Sequence, residues 1–154
     1  MEYTLQNISD KIKAAKAENK KIVFTNGCFD IIHRGHIAYL TEAKLLGNFL
    51  IVGVNSDESV KKLKGPQRPV NNENDRAFVM NSLKPVDAVV IFNEDTPFEI
   101  IKEIKPDILV KGGDWKVEDI VGSDIVLANG GEVKSLKFIK DYSTTALLEK
   151  IHSL

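Results

Sequence analysis

The chain has 154 residues, 43% hydrophobic and 28% charged, with a formal net charge of −1, a composition that excludes a disordered tail or a membrane bundle. So even a charge balance also excludes sequence-independent nucleic-acid binding, which needs surplus Lys and Arg to displace counterions. The single cysteine, Cys28, leaves no internal disulfide and no cysteine-based zinc site. No apolar run is long enough to span a bilayer and MEYTLQNISDK lacks a signal-peptide core, so a cytoplasmic setting is expected.

Leu5, Ile8, Ile12 and Ala15 recur at helical spacing and predict a helix from about Thr4 to Glu18, part of an N-terminal helical extension over residues 1–20. Ile22-Val23-Phe24-Thr25 is a β-branched and aromatic run, the composition of a buried strand. Asn26-Gly27 is expected to break it in a tight turn of positive φ. A second helix follows His36, buries Ile37, Leu40 and Ala43, and is expected to stop at a C′ glycine, Gly47. Phe49 to Val54 reads as a strand buried on both faces, closed by Asn55-Ser56-Asp57. The connection VKKLKGPQRPV is basic and broken by Gly65, Pro66 and Pro69, so it cannot be one continuous helix.

A helix over Glu73 to Leu83 should bury Ala77, Met80 and Leu83, and Ala88 to Phe92 is the third strand. Thr96-Pro97-Phe98-Glu99 has capping-box spacing with Pro at the first helical position. That helix ends before Pro106, Ile108 to Val110 is the fourth strand, and Lys111-Gly112-Gly113-Asp114-Trp115 is a loop. A short helix over Ser123 to Ala128, a fifth strand over Val133 to Phe138, and a last helix capped by Ser143 or Thr144 and running to Ile151 complete the chain. This alternation predicts a single α/β domain over residues 1–154: a Rossmann-like, doubly wound parallel sheet of five strands with helices on both faces.

Ligands of such a sheet bind outside the carboxyl ends of its strands. That rule gathers Asn26 to His36, Asn55 to Asp57, Lys111 to Trp115 and Tyr142 to Thr145 along one edge. The dinucleotide and P-loop glycine fingerprints are both missing. In their place stands His33-Arg34-Gly35-His36, which carries two of the three histidines at a helix start after a strand and a glycine turn. Backbone N–H groups and the helix dipole make that architecture an anion site. A histidine pair alone is more often structural than catalytic, and Asp30, His33 and His36 could also imitate a two-His-one-carboxylate metal site. The phosphate-type loops around them point instead to phosphate handling. Cys28 reads as a small packed residue rather than a nucleophile.

Gly27-x-Phe29-Asp30 followed by His33-x-Gly35-His36 resembles the HxGH nucleotidylyltransferase superfamily. The fuller series is TNGCFDIIHRGH, VNSDESVKKLKG with Arg68-Pro69-Val70, DILVKGGDW, NGGEV and YSTT. Over about residues 20 to 152 it is similar to the D-glycero-β-D-manno-heptose 1-phosphate adenylyltransferase family. The glycerol-3-phosphate cytidylyltransferases share several of these motifs but carry an arginine before Ser-Thr-Thr. Here that stretch is Leu136-Lys137-Phe138-Ile139-Lys140-Asp141, and lysine cannot copy the bidentate grip of a guanidinium.

The resemblance implies transfer of AMP from ATP to a sugar 1-phosphate, giving ADP-heptose and pyrophosphate for lipopolysaccharide or surface glycan. The alternatives are a cytidylyltransferase using CTP and a polyol phosphate, and a nucleotide-sensing module without turnover. It also implies Mg2+ carried mainly on the ATP phosphates with no direct protein ligand, a separate sugar kinase upstream, a homodimer, and neither nucleic-acid nor membrane partners. His33, His36 and Lys64 would be catalytic. Nucleotide contacts would come from Asn26, Gly27, Cys28, Phe29, Asp30, Gly35, Arg76, Gly112, Asp114, Ser143, Thr144 and Thr145. Within that set Asp30 is expected to orient a histidine or a magnesium water, and Arg76 to share the triphosphate with Lys64. Asp114 is expected to accept from ribose hydroxyls. Ser143 to Thr145 would hold phosphate, cap the helix, or both, and Trp115 would stack near the base or simply pack.

Overall fold

The apolar runs pair as a central parallel sheet. In the computed structural model, which describes residues 3–139 and 142–154, β1 (Ile22–Gly27), β2 (Phe49–Asn55), β3 (Ala88–Phe92), β4 (Ile108–Gly112) and β5 (Glu132–Leu136) form one five-stranded sheet in the order β3-β2-β1-β4-β5. Met1 and Glu2 of the N-terminal extension, and Lys140 and Asp141 of the arginine-free stretch, lie outside the described residues.

Successive strand side chains point to opposite faces, so each strand feeds two cores. Val23, Leu50, Val52, Val89 and Ile108 pack with Tyr39, Leu40 and Ala43 of α2 (Arg34–Leu45) and Ala77 and Met80 of α4 (Glu73–Asn81). On the other face Ile22, Phe24, Ile51, Val90 and Leu109 meet α1 (Leu5–Ala17), α5 (Phe98–Ile104) and α6 (Ser123–Ala128) through Ile8, Ile12, Ile101, Ile104 and Val126. Each fully buried Leu, Ile or Val contributes about 1.5–3 kcal/mol. The doubly wound arrangement follows from this two-sided burial. The N-terminal extension belongs to it: the Tyr3 carbonyl accepts from Ile91 N–H at 2.7 Å on the edge strand, and Lys16 Nζ donates to the Ile104 carbonyl at 2.9 Å.

Several expected boundaries move for nonlocal reasons. Asn26 and Gly27 are strand, not turn, because they continue the β2 ladder opposite Gly53 and Val54. The left-handed residue is Phe29, φ 46°. Gly47 is no left-handed cap; a Cβ there would sit 2.6 Å from the Lys21 carbonyl oxygen, so the glycine answers a close backbone approach. The front of the basic connection is helix α3 (Asp57–Lys64), capped by Ser56 and ended at Gly65, with acidic residues in its first turn and lysines in its last. Pro97, not Thr96, is the N-cap of α5, without a side-chain cap bond. Ile37 and Leu83 are only half-buried. The fifth strand starts at Glu132 and ends at Leu136, leaving Phe138 exposed. A 3-10 turn at Val117–Asp119 and α7 (Thr144–His152), capped by Ser143, complete the elements.

β1 matches β2 at six positions, from Ile22↔Phe49 to Gly27↔Val54, but matches β4 only at Val23↔Ile108 and Phe24↔Leu109. Beyond Phe24 the two central strands part, at the point where the strand order reverses. The site lies there.

Candidate active site

His33 and His36 open α2, and both use Nδ1 to satisfy backbone donors that a helix start leaves free. The Gly35 N–H donates to His33 Nδ1 at 3.1 Å, and the His33 N–H donates to His36 Nδ1 at 3.3 Å. The rings lie 3.9 Å apart between centroids. With both Nδ1 atoms accepting, a neutral imidazole carries its proton on Nε2 and presents a donor on its free side. Burial holds both histidines below their ordinary pKa; His36, also beside the charges of His33 and Lys64, is pushed down to about 4. Gly35 is required by this packing, since a Cβ there would stand 3.0 Å from the His33 ring and from Tyr142 Cβ.

Two cavities open at this edge, the smaller one against His36, and share Asn26, Gly27, Cys28 and Lys111 as a common floor. The smaller, about 160 Å3, is walled by Phe29, Asp30, His36, Tyr39, Lys64, Arg68, Gly112, Phe138 and Thr144. It collects cationic groups from three separate elements, the chemistry of an anion site. The larger, about 270 Å3, runs toward the ends of β2 and β3. It is lined by Asn55, Leu63, Asp95, Thr96, Pro97, Trp115, Asp119, Ile120 and Val121 among others. Trp115 is half exposed and is held by Nε1 donating to the Gly112 carbonyl at 3.1 Å. Burial lowers the pKa of Lys111 against an opposing effect of Cys28. The Tyr39 hydroxyl, bonded to Thr25 Oγ1 at 2.6 Å, is pushed up to about 12 by burial and stays protonated.

The structure thus brings together most of the residues singled out from sequence: Asn26 to Asp30, His36, Lys64, Gly112 and Thr144 line the smaller cavity, and His33 and Gly35 adjoin His36 at the start of α2. Asp30 takes a different part from the one expected. Its carboxylate accepts from Arg68 Nε at 2.8 Å and from the Val70 and Asn71 N–H groups at 2.9 Å, so it orients the 68–71 segment and neither histidine. Burial opposes its ionisation, but the Asn71 and Val70 donors and the Arg68 guanidinium win and hold it below the usual carboxylate range. With Asp30 turned to that segment, the alternative two-His-one-carboxylate set is not assembled, and the described residues contain no cluster of three potential metal-ligating side chains.

Arg76 is placed apart from the other expected nucleotide contacts. It lies outside both cavities with its side chain fully buried. It donates to the Asn71 carbonyl at 2.9 Å, the Cys28 carbonyl at 2.6 Å and Asp57 Oδ1 at 2.8 Å. Those bonds fasten α4 to the loop after β1 and to the start of α3, and turn every guanidinium nitrogen to a protein acceptor; the residue lines a separate cavity of about 190 Å3 with Phe29, Asp30 and Asn71. Asp114 and Thr145 are exposed and line neither cavity, and Ser143 acts as a helix cap, accepting from the Ala146 N–H at 3.0 Å. Lys111, gathered to this edge by the strand-end rule, and Arg68, part of the Arg68-Pro69-Val70 motif, line the smaller cavity although neither was among the expected catalytic or nucleotide-contact residues. Edge placement and motif membership were both legible, but neither says that the two side chains converge on the floor formed by Asn26 to Cys28.

The cytidylyltransferase-like family matches residues 24–150. The bifunctional protein HldE of a Marinomonas species is 56% identical over 145 residues, 94% of this chain and 30% of that protein. Its namesake from a Nitratiruptor species is 60% identical over 134 residues, 87% of this chain and 28% of that protein. The chain therefore spans about 30% of the length of these curated relatives. Among solved structures, a lipopolysaccharide core biosynthesis protein from Thermoplasma volcanium aligns with TM-score 0.63 and 33% identity, covering 80% of this chain and 99% of that one. Pantothenate synthetase from Thermus thermophilus, at TM-score 0.53 and 16% identity over 84% of this chain and 61% of that one, shares the fold alone. From the first strand into the capped terminal helix, this chain belongs to the cytidylyltransferase-like family.

Proposed function

We propose that this chain transfers AMP from ATP to D-glycero-β-D-manno-heptose 1-phosphate, giving ADP-heptose and pyrophosphate. The observation that carries the reading is the smaller cavity, where the His36 imidazole, Lys64, Lys111 and the start of α7 at Thr144 converge beyond the ends of β1 and β4. The motif series shared with the heptose adenylyltransferases, and high identity to HldE proteins, support the choice of substrates.

An oxygen of the acceptor phosphate attacks the α-phosphorus of ATP, and the bond to the β-phosphate bridging oxygen breaks as pyrophosphate leaves with that electron pair. A phosphate monoester has its second pKa at about 6, so the nucleophile is already ionised and no general base is required. Catalysis is then positioning plus neutralisation of charge on the leaving group. The Nε2–H groups of His33 and His36 donate to the transferring phosphate, and bound anions favour their protonated form. Lys64 and Lys111 offset charge on the triphosphate. The larger cavity takes the sugar, with Asn55, Asp95, Thr96 and Asp119 available to its hydroxyls. Magnesium carried on the triphosphate would screen its charge. Asp30, the one carboxylate lining the smaller cavity among the described residues, is already occupied by Arg68 and two N–H groups, which fits a metal held by phosphate oxygens.

In this reading the chain works in the cytoplasm as a homodimer, downstream of a sugar kinase that supplies the 1-phosphate. No described helix is long and apolar enough to cross a membrane. The test is pyrophosphate release with ATP or CTP against heptose 1-phosphate and glycerol 3-phosphate. ATP with the heptose phosphate reacts, and His33→Ala or His36→Ala abolishes turnover in a folded protein. Turnover only with CTP and the polyol phosphate, or nucleotide binding with no turnover, overturns the reading.

A further inference from the structure

Arg68 is anchored on one side and idle on the other. Its Nε donates to Asp30 Oδ2 at 2.8 Å, while its Nη2 is buried with no hydrogen-bond partner among the described residues. The side chain is 17% exposed and lines the smaller cavity with His36, Lys64 and Lys111. A buried, unpaired N–H of a charged group is costly, and native proteins leave few of them. The guanidinium is planar, so fixing Nε on Asp30 also fixes where the remaining donors point. Asp30 is itself held by the Val70 and Asn71 N–H groups, and the Asn71 amide donates back to the Asp30 carbonyl at 2.6 Å. The anchor is therefore rigid before any ligand arrives, as pre-organised recognition of an anion requires.

We infer that Arg68 is a phosphate ligand of the transfer site, aimed by Asp30, whose free Nη2 edge takes a phosphoryl oxygen. The inference rests on the reading of this cavity as a phosphate-handling site. The oxygen comes from the nucleotide's triphosphate or from the acceptor's phosphate; both present the same chemistry, and the assay separates them.

Direct binding of ATP, inorganic pyrophosphate and heptose 1-phosphate is measured by calorimetry for the wild-type chain, Arg68→Ala and Arg68→Lys, with thermal melts to establish that each is folded. Losing a charge-assisted bond should weaken the ligand concerned by roughly 10- to 100-fold. Arg68→Lys should also lose affinity, since an ammonium cannot serve Asp30 and an anion through one rigid fork. Weakened ATP and pyrophosphate identify the triphosphate as the partner; weakening confined to heptose 1-phosphate identifies the acceptor. Unchanged affinity for all three ligands in folded Arg68→Lys or Arg68→Ala overturns the inference and leaves Arg68 a loop anchor. If the wild-type chain binds pyrophosphate but turns nothing over, the transferase reading fails while the Arg68 assignment is still decided by the pyrophosphate arm.

Discussion

Replacing Arg76 by alanine separates a buried clasp from a substrate contact. The guanidinium side chain is fully buried and holds two main-chain carbonyls, of Asn71 and Cys28, together with the Asp57 carboxylate. Asp57 is 29% exposed and regains water when the arginine is lost. The two carbonyls are left short of a donor at about 1–3 kcal/mol each. Two lost methylenes add about 0.8 kcal/mol apiece, and relief of the buried charge and of side-chain ordering offsets part of the total. The net expectation is about 3–5 kcal/mol, the range for breaking a buried ion pair from one side. At about 2–4 °C per kcal/mol for a chain of this size, the melting temperature falls by on the order of 10 °C. Urea and thermal unfolding measure it, and Arg76→Met, which keeps volume but not the bonds, should fall comparably. Wild-type stability in Arg76→Ala combined with a large rise in KM for ATP would refute the clasp and restore Arg76 as a triphosphate contact.

Two further outcomes follow from close contacts and from titration. Gly47→Ala places a Cβ 2.6 Å from the Lys21 carbonyl oxygen, which cannot retreat because it accepts from the Asn48 and Phe49 N–H groups. We expect a loss of about 1–3 kcal/mol in urea unfolding; a gain, the usual result of Gly→Ala at ordinary φ, would show that the contact relaxes freely. His36 has a folded-state pKa of about 4 against about 6.5 when unfolded, so the unfolded chain binds more protons between those values. Its contribution is fully present above pH about 6.5 and is lost as pH falls toward about 4. The urea midpoint should therefore drop more between pH 7 and pH 5 in the wild type than in His36→Gln, and equal drops would contradict the buried, neutral imidazole.

The alternation of apolar runs with helical spacings carried the sheet, its two-sided burial and nearly every element, because both are periodic and local. What escaped was set by contacts across the chain. Asn26-Gly27 has turn composition, but six matches to β2 keep both residues in the strand. The positive φ falls on Phe29, which local preference disfavours, and its ring packs against His36 at 5.6 Å and under Gly27. Arg76 looks like an ordinary helix charge until acceptors far away in sequence converge on it. Helix α3 was obscured by its lysines, although Ser56, Asp57 and Glu58 already spelled a capped helix start. His33, His36 and Lys64 were singled out by motif, and His36 and Lys64 do line one cavity; the pairing of Arg68 with Asp30 was not legible, because it depends on how a Gly/Pro segment folds back over the first strand's end.

The parting of β1 and β4 has a consequence for how such a scaffold can change its substrate. The gap is made by main-chain geometry, since the ladder between these strands stops at Phe24↔Leu109, and the two cavities divide its length. The histidines, Lys64 and α7 stand at one end, while Asn55, Asp95, Thr96 and Asp119 stand at the other. On the proposed reading, a new acceptor can be accommodated by rewriting the tips of β2 and β3 and the turn after β4. The machinery that handles the triphosphate then remains as it is, and selection can exchange one half of the reaction without dismantling the other.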